Sequence, residues 1–182
     1  MSEPKRRAIM DEAAVEEALS RMAREIVRLA GGTEALVLVG IHRRGVELSR
    51  RVAEAVEAEH GPVQTGTLDI TLYRDDLMVV GPRPVVGQTR LPTGGIDDRV
   101  IAIVDDVLYT GRTVRAALDE LADFGRPRRT LLAVLVDRGG RELPIQADVV
   151  GKTVDVPEGG RVEVRVPEHD GRLGVELVDG GE

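Results

Sequence analysis

The chain alternates between two kinds of apolar pattern. A stretch opening at Asp11 spaces Val15, Leu19, Met22, Ala23 and Ile26 along one helical face, so it predicts a helix over 11–30 that Asp11 caps and Gly31-Gly32 ends. Residues 35–39 are instead continuously apolar, as in a strand buried on both faces. A second helix over about 45–59 brings Leu48, Val52, Ala55 and Val56 together and stops at Gly61-Pro62. A strand is expected at 66–72, and buried-type strands at 100–104 and 131–136. Between the last two, Val114, Ala117, Leu118 and Leu121 define one face of a helix over about 113–124.

Strand, helix and strand in alternation, with unbroken apolar strands, predict an α/β fold with a mostly parallel sheet flanked by helices. Two regions fall outside that rhythm. Residues 74–99 hold three prolines, four glycines and many charges, and read as a long exposed arm of the kind that often carries function. Near the C-terminus, Val162, Val164 and Val166 alternate with polar residues before Leu173, Val175 and Leu177, predicting a peripheral hairpin. We therefore expect one domain over 1–182, with an arm at about 70–99 and a small C-terminal hood at about 137–182.

Composition narrows the chemistry. The 182 residues carry 25 Lys and Arg against 32 Asp and Glu, a net charge of −7. An acidic chain is not a general nucleic-acid coat, although a local basic patch remains open. The only aromatics are Tyr73, Tyr109 and Phe124, too few for base-stacking platforms. The absence of cysteine excludes disulfides and thiolate metal sites, and agrees with a cytoplasmic location. No run approaches the ~18 apolar residues of a membrane span, and the N-terminal Lys5-Arg6-Arg7 is not followed by the apolar core of a secretory signal. His42, His60 and His169 are scattered and do not suggest a metal site.

The informative stretch is Ile101-Ala-Ile-Val-Asp105-Asp106-Val107-Leu108-Tyr109-Thr110-Gly111-Arg112-Thr113. A buried strand delivers two acids to its carboxyl end, where ligands of open α/β sheets sit. A loop of hydroxyl and glycine positions then leads into a helix, whose first N–H groups and positive dipole end suit a phosphate. Thr110 and Thr113 add hydroxyls, and Gly111 lets the backbone approach an anion. The carboxylates would repel that phosphate. They suit sugar hydroxyls, or a hard cation such as Mg²⁺ held with phosphates. A ribose 5-phosphate has this polarity. An Asp-Asp turn followed by an ordinary helix cap is the plainer alternative; the Thr-Gly-Arg-Thr continuation argues against it.

This stretch resembles the phosphoribosyl-diphosphate (PRPP) motif of type I phosphoribosyltransferases. Asp69-Ile-Thr-Leu-Tyr73-Arg74-Asp75-Asp76-Leu77, Gly125-Arg-Pro-Arg128, Leu135-Val-Asp137-Arg138-Gly139 and Arg141-Glu-Leu-Pro144 are similar to one branch of that family, the bifunctional pyrimidine operon regulatory proteins and uracil phosphoribosyltransferases. The resemblance implies the type I phosphoribosyltransferase fold and the reaction of uracil with PRPP to give UMP and diphosphate. It implies that Asp105 and Asp106 hold the ribose hydroxyls, and that residues 107–113, centred on Thr110–Thr113, cradle the 5-phosphate. Gly40-Ile-His42-Arg43-Arg44-Gly45 is similar to the family's diphosphate loop, with Arg44 on the family arginine and Arg43 where threonine is usual. Arg74 and Asp75 match a catalytic loop that closes over PRPP. Arg138 and the backbone at Val162 match the base-binding hood. Mg²⁺ would bind through PRPP, with Asp105, Asp106 and Asp137 as candidate ligands, and the family implies a homodimer or larger assembly.

The branch also implies a regulator that binds pyrimidine-operon leader mRNA when charged with UMP or UTP. Arg21, Arg24 and Arg28 share a helix face and, with Arg141 and Lys152, form a candidate basic patch. Neighbouring acids such as Glu17 and Glu25 oppose it. Gly140 stands where the family has histidine, Gln146 where it has arginine, and Asp155 adds negative charge. Two alternatives remain at this point: a non-catalytic RNA-binding regulator that senses UMP or PRPP, and a transferase acting on a purine.

Overall fold

The structure, a computed structural model, describes residues 5–73 and 87–180. Five parallel strands form the central sheet: β2 (Leu36–Ile41), β3 (Gln64–Leu68), β4 (Val100–Leu108), β5 (Arg129–Asp137) and β6 (Val149–Thr153), in the order β3-β2-β4-β5-β6. Three helices of ten or more residues cover it: α1 (Glu12–Ala30), α2 (Arg44–His60) and α3 (Arg112–Ala122). The Asp11 carboxylate accepts the Ala14 N–H at 2.8 Å, and Gly31 ends α1 at φ 77°.

Alternation along the strands sorts the core. Leu36, Leu38, Ala102, Val104, Leu131, Ala133 and Leu135 pack on α1 and α2. Val37, Val39, Ile41, Ile101, Ile103, Leu132 and Val134 face the other way, against α3, Ile70 and Ile96. Burial on both faces explains why these strands are unbroken apolar runs. Leu118, expected in the core, lies on the outer side of α3, 41% exposed. Glu120 occupies an inward position instead, its carboxylate accepting the Thr89 hydroxyl at 2.6 Å.

A separate antiparallel sheet has the order β1-β8-β7, from β1 (Arg6–Met10), β7 (Arg161–Arg165) and β8 (Gly174–Val178). The expected C-terminal hairpin is present and gains an N-terminal strand. A four-residue helix, α4 (Pro167–Asp170), links β7 to β8. Met10, Val164, Val166, Leu173 and Val175 fasten this hood to the α1/α2 side of the core.

Some boundaries differ from expectation. β3 ends at Leu68 rather than 72, and a single 3₁₀ turn follows at Thr71–Tyr73. β6 belongs to the central sheet, so the hood does not extend continuously from 137. Most of the expected arm lies outside the described residues. Its return at 87–91 runs against β3, with Thr67 and Arg90 exchanging backbone hydrogen bonds at 2.7 and 2.9 Å. No helix among the described residues is long and apolar enough to cross a membrane.

Candidate active site

From β2 the chain crosses to β3 on one side, then returns to β4 on the other. The carboxyl ends of β2 and β4 thus flank the point where strand order reverses, where open α/β sheets leave a crevice. A cleft of about 450 Å³ opens there. Its lining includes His42, Arg43 and Arg44 after β2, Asp69 and Thr71 after β3, Asp105, Asp106 and Val107 on β4, and Thr113 on α3.

Asp105 and Asp106 are still within β4, because the strand runs to Leu108 rather than ending at 104. Asp105 is 6% exposed, and its Oδ1 accepts the Asp106 N–H at 2.9 Å. Asp106 Oδ1 accepts the Val107 N–H at 2.8 Å. Burial, reinforced by the adjacent Asp106 carboxylate, pushes Asp105 well above the usual carboxylate range. Burial raises Asp106 as well, against the opposing pull of its hydrogen bonds and of the Arg44 charge. Two acids that resist joint ionisation, placed side by side in a cleft, are suited to receive hydroxyl donors or positive charge.

The loop after β4 is built to expose the start of α3. Gly111 adopts φ 93° as the residue before the helix and has no side chain of its own to cap it. Ile145 and Leu143 pack so closely that an added Cβ would lie 3.3 and 3.4 Å from their Cβ atoms. The Thr110 carbonyl accepts the Glu142 and Leu143 N–H groups at 3.0 and 3.1 Å, and its hydroxyl accepts the Arg112 N–H at 3.3 Å. This fixes a turn whose following N–H groups have no intrahelical acceptor. Leu108 is buried in the core, and Tyr109 is exposed beneath the Arg138 guanidinium, 3.8 Å from its ring centre. Arg112 pairs with Glu142 at 2.8 Å.

Across the cleft, Gly45 begins α2 against β4. A Cβ there would meet the Val104 carbonyl at 2.7 Å and Asp105 Oδ1 at 3.2 Å, so the absent side chain brings Arg44 beside the acidic pair. Arg43 is exposed, and the His42–Arg43 peptide is cis. Arg44 is half-buried and bound to Asp170 of the hood, a residue that no sequence pattern singled out. Asp69, which opens the stretch likened to the catalytic loop, is 8% exposed and lines the cleft. Burial alone would raise it, but hydrogen bonds from the Thr71 hydroxyl and amide and the Gly87 amide hold it below the usual range.

A second groove, about 380 Å³, is lined by Arg44 and Asp106 together with Arg161, Val162, Glu163, Val164 and Arg165. Val162 thereby shares a groove with Asp106. Arg138 lines neither space; besides covering Tyr109 it donates to the Gly160 carbonyl at 3.2 Å. Asp137 also lies apart from both linings, accepting the Gly139 N–H at 3.0 Å and the Arg141 guanidinium at 2.6 Å. Arg74 and Asp75 lie outside the described residues.

The candidate RNA residues fall into two groups. Arg21, Arg24 and Arg28 line a cavity of about 430 Å³ between α1 and β6, with Glu25 and Asp148 also in its wall. Arg21 donates to the Gly151 carbonyl at 2.7 Å, Arg24 pairs with Glu59 at 3.1 Å, and Arg28 pairs with Glu25 at 2.6 Å. Lys152 is exposed on β6. Arg141 is an internal clamp, bonding the Ile145 and Tyr109 carbonyls at 2.8 and 3.0 Å as well as Asp137. Gly140 has φ 82°, and a Cβ there would lie 2.4 Å from the Tyr109 ring, so the two are in close register.

Residues 6–164 match the model of the phosphoribosyl transferase domain. The chain is 55% identical over 163 residues to the bifunctional protein PyrR of Herpetosiphon aurantiacus, covering 89% of this chain and 90% of the relative. It is 55% identical over 170 residues to that of Thermus aquaticus, covering 93% of each chain. The chain belongs to the phosphoribosyltransferase family, in its PyrR branch. The PyrR of Mycobacterium tuberculosis is 51% identical over 177 residues, covering 93% of this chain and 91% of its own. Among solved structures, a hypoxanthine-guanine phosphoribosyltransferase from Bacillus anthracis superposes with a TM-score of 0.72 at 16% identity, covering 97% of this chain and 99% of that one. A hypoxanthine phosphoribosyltransferase from Trypanosoma cruzi gives 0.71 at 20% identity, covering 96% and 95%. At these identities the two share the phosphoribosyltransferase fold; the PyrR branch rests on the closer sequence relatives.

Proposed function

We propose that this PyrR-branch phosphoribosyltransferase moves the ribose 5-phosphate unit of PRPP onto uracil, giving UMP and diphosphate, and that uridine nucleotide in the same cleft sets its affinity for pyrimidine-operon leader mRNA. The carrying observation is the Asp105–Asp106 pair facing the cleft one short loop from the start of α3, where Gly111 has no side chain to cap the helix. In this reading the 5-phosphate takes the N–H groups after Gly111 with the Thr110 and Thr113 hydroxyls. The ribose hydroxyls donate to Asp105 and Asp106. As the bond from ribose C1 to diphosphate breaks, positive charge grows on the sugar beside these acids, and negative charge leaves toward Arg43 and Arg44. Uracil enters by the groove at Val162, where backbone groups of β7 read its edges.

Mg²⁺ fits this cleft only as a shared ion. No cluster of three or more histidine and acidic side chains occurs among the described residues. With PRPP bound, Asp105 and Asp106 would hold the ion, and it would supply positive charge to offset the leaving diphosphate. Asp137 is committed to Arg141 and does not join this set.

The purine reading is not favoured: the purine-specific neighbours share the fold at 16% and 20% identity, whereas the PyrR relatives reach 55%. For RNA, the exposed Lys152 and the arginine-lined cavity beside α1 support a phosphate-contacting surface whose affinity falls with salt. Radiolabelled uracil with Mg²⁺ and PRPP tests the enzyme. UMP formation is expected, and its absence at saturating substrate would refute the transferase reading. Leader RNA should bind more tightly with UMP than without; affinity equal to that for a scrambled hairpin would refute the regulatory half.

A further inference from the structure

Arg44 opens α2 at the mouth of the cleft, but the partner that fixes its guanidinium is 126 residues away in the hood. Asp170 closes α4. Its Oδ1 accepts Arg44 Nη2 at 2.9 Å, and its Oδ2 accepts Arg44 Nε at 3.2 Å. This two-point contact uses one edge of the planar guanidinium. Among the described residues nothing engages Nη1, so the opposite edge keeps a fork of N–H donors on a side chain that lines both the cleft and the adjoining groove.

Asp170 is itself immobilised. Its side chain is 9% exposed. Oδ2 also accepts the Val166 N–H at 2.9 Å, and Oδ1 accepts Arg165 Nη1 at 3.3 Å. Arg165 is in turn paired with Glu163 and Glu176 on the hood sheet. The carboxylate therefore cannot follow Arg44 into the cleft, and it does not occupy the guanidinium edge that a ligand would use.

We propose that Asp170 is a positioning residue for the transfer reaction: it holds the Arg44 guanidinium with its free edge toward the diphosphate, tying the hood to the diphosphate loop. This rests on the reading of Arg44 as a diphosphate contact. A long arginine side chain that must be ordered by its ligand gives up binding affinity to do so, on the order of up to tenfold. Asp170 orders it beforehand.

Calorimetric titration of Mg²⁺-diphosphate into the wild type, Asp170→Asn, Arg44→Ala and the double variant tests this, with UMP as the control ligand because it carries no diphosphate. Asp170→Asn keeps an acceptor for Val166 but loses the two-point grip. Its diphosphate Kd should rise about tenfold, the equivalent of ~1.4 kcal/mol, with UMP affinity unchanged. In steady-state kinetics the KM for PRPP should rise with little change in kcat. In the Arg44→Ala background Asp170→Asn should add nothing. Asp170→Glu, which keeps the charge on a longer stem, should fall between the two and serves if the asparagine variant does not fold. Diphosphate affinity unchanged in Asp170→Asn but weakened in Arg44→Ala would overturn the proposal. So would an equal loss for UMP, or additive losses in the double variant. Normal diphosphate binding by Arg44→Ala would instead remove the diphosphate reading of Arg44, and the proposal with it.

Discussion

Replacing Asp105 by asparagine is expected to make the protein more stable and less active at once. Asp105 is 6% exposed at the end of an apolar strand, beside a second carboxylate. Its Oδ1 accepts the Asp106 N–H at 2.9 Å, a bond that asparagine retains. What asparagine removes is the cost of a buried charge next to another. Burial and Asp106 raise the native carboxyl above its unfolded value, so the native state holds protons that the unfolded chain has released. Stability from this group is complete below the ordinary carboxylate range and is lost as pH climbs through the raised value. At neutral pH relief of about 1–3 kcal/mol is the expected scale for a poorly compensated buried polar group. For a chain of this length each kcal/mol moves Tm by roughly 2–4 °C. Scanning calorimetry at about pH 5 and about pH 8 should therefore show Asp105→Asn with a higher Tm, the gain larger at the higher pH, while PRPP-dependent UMP formation falls sharply. A lower Tm, or a gain independent of pH, would refute the claim that the fold stores an unfavourable carboxylate pair.

Other consequences are local. Gly111→Ala places a Cβ at φ 93° against Ile145 and Leu143, and should cost about 1–2 kcal/mol in urea unfolding while weakening UMP; unchanged values for both would contradict the cradle geometry. Thr110→Ala should lose about 1–3 kcal/mol of affinity for UMP but little for uracil, as read by calorimetry. Glu163, hydrogen-bonded to Arg6, and Asp170, which Arg44 and the Val166 amide stabilise against its burial, are both held at about 2. Their contributions are complete above the ordinary carboxylate range and vanish as pH falls through about 2, so Glu163→Gln should flatten the acid limb of a pH–stability profile; an unaltered limb would contradict this.

The central strands were legible because parallel strands buried on both faces have to be continuous apolar runs, as at Val37–Val39 and Ile101–Val104. The paired acids and the glycine before α3 were legible for a related reason: function breaks the apolar pattern at a strand end. Residues at sheet edges were harder. β6 is Val-Val-Gly-Lys-Thr, half exposed, and β1 is a short, largely exposed strand whose partner β8 lies at the other end of the chain. Neither has a local pattern to announce it. Leu118 turned outward while Glu120 lies inward, where Thr89, distant in sequence, supplies a partner for the acid. Asp170 was invisible for the same reason, since only folding brings the hood to Arg44.

The most direct test is a crystal structure with UMP bound. The phosphate should lie on the N–H groups after Gly111, within hydrogen-bond reach of the Thr110 or Thr113 hydroxyl, with the ribose hydroxyls on Asp105 and Asp106. A nucleotide bound elsewhere, or with its phosphate turned toward the two acids, would contradict the account.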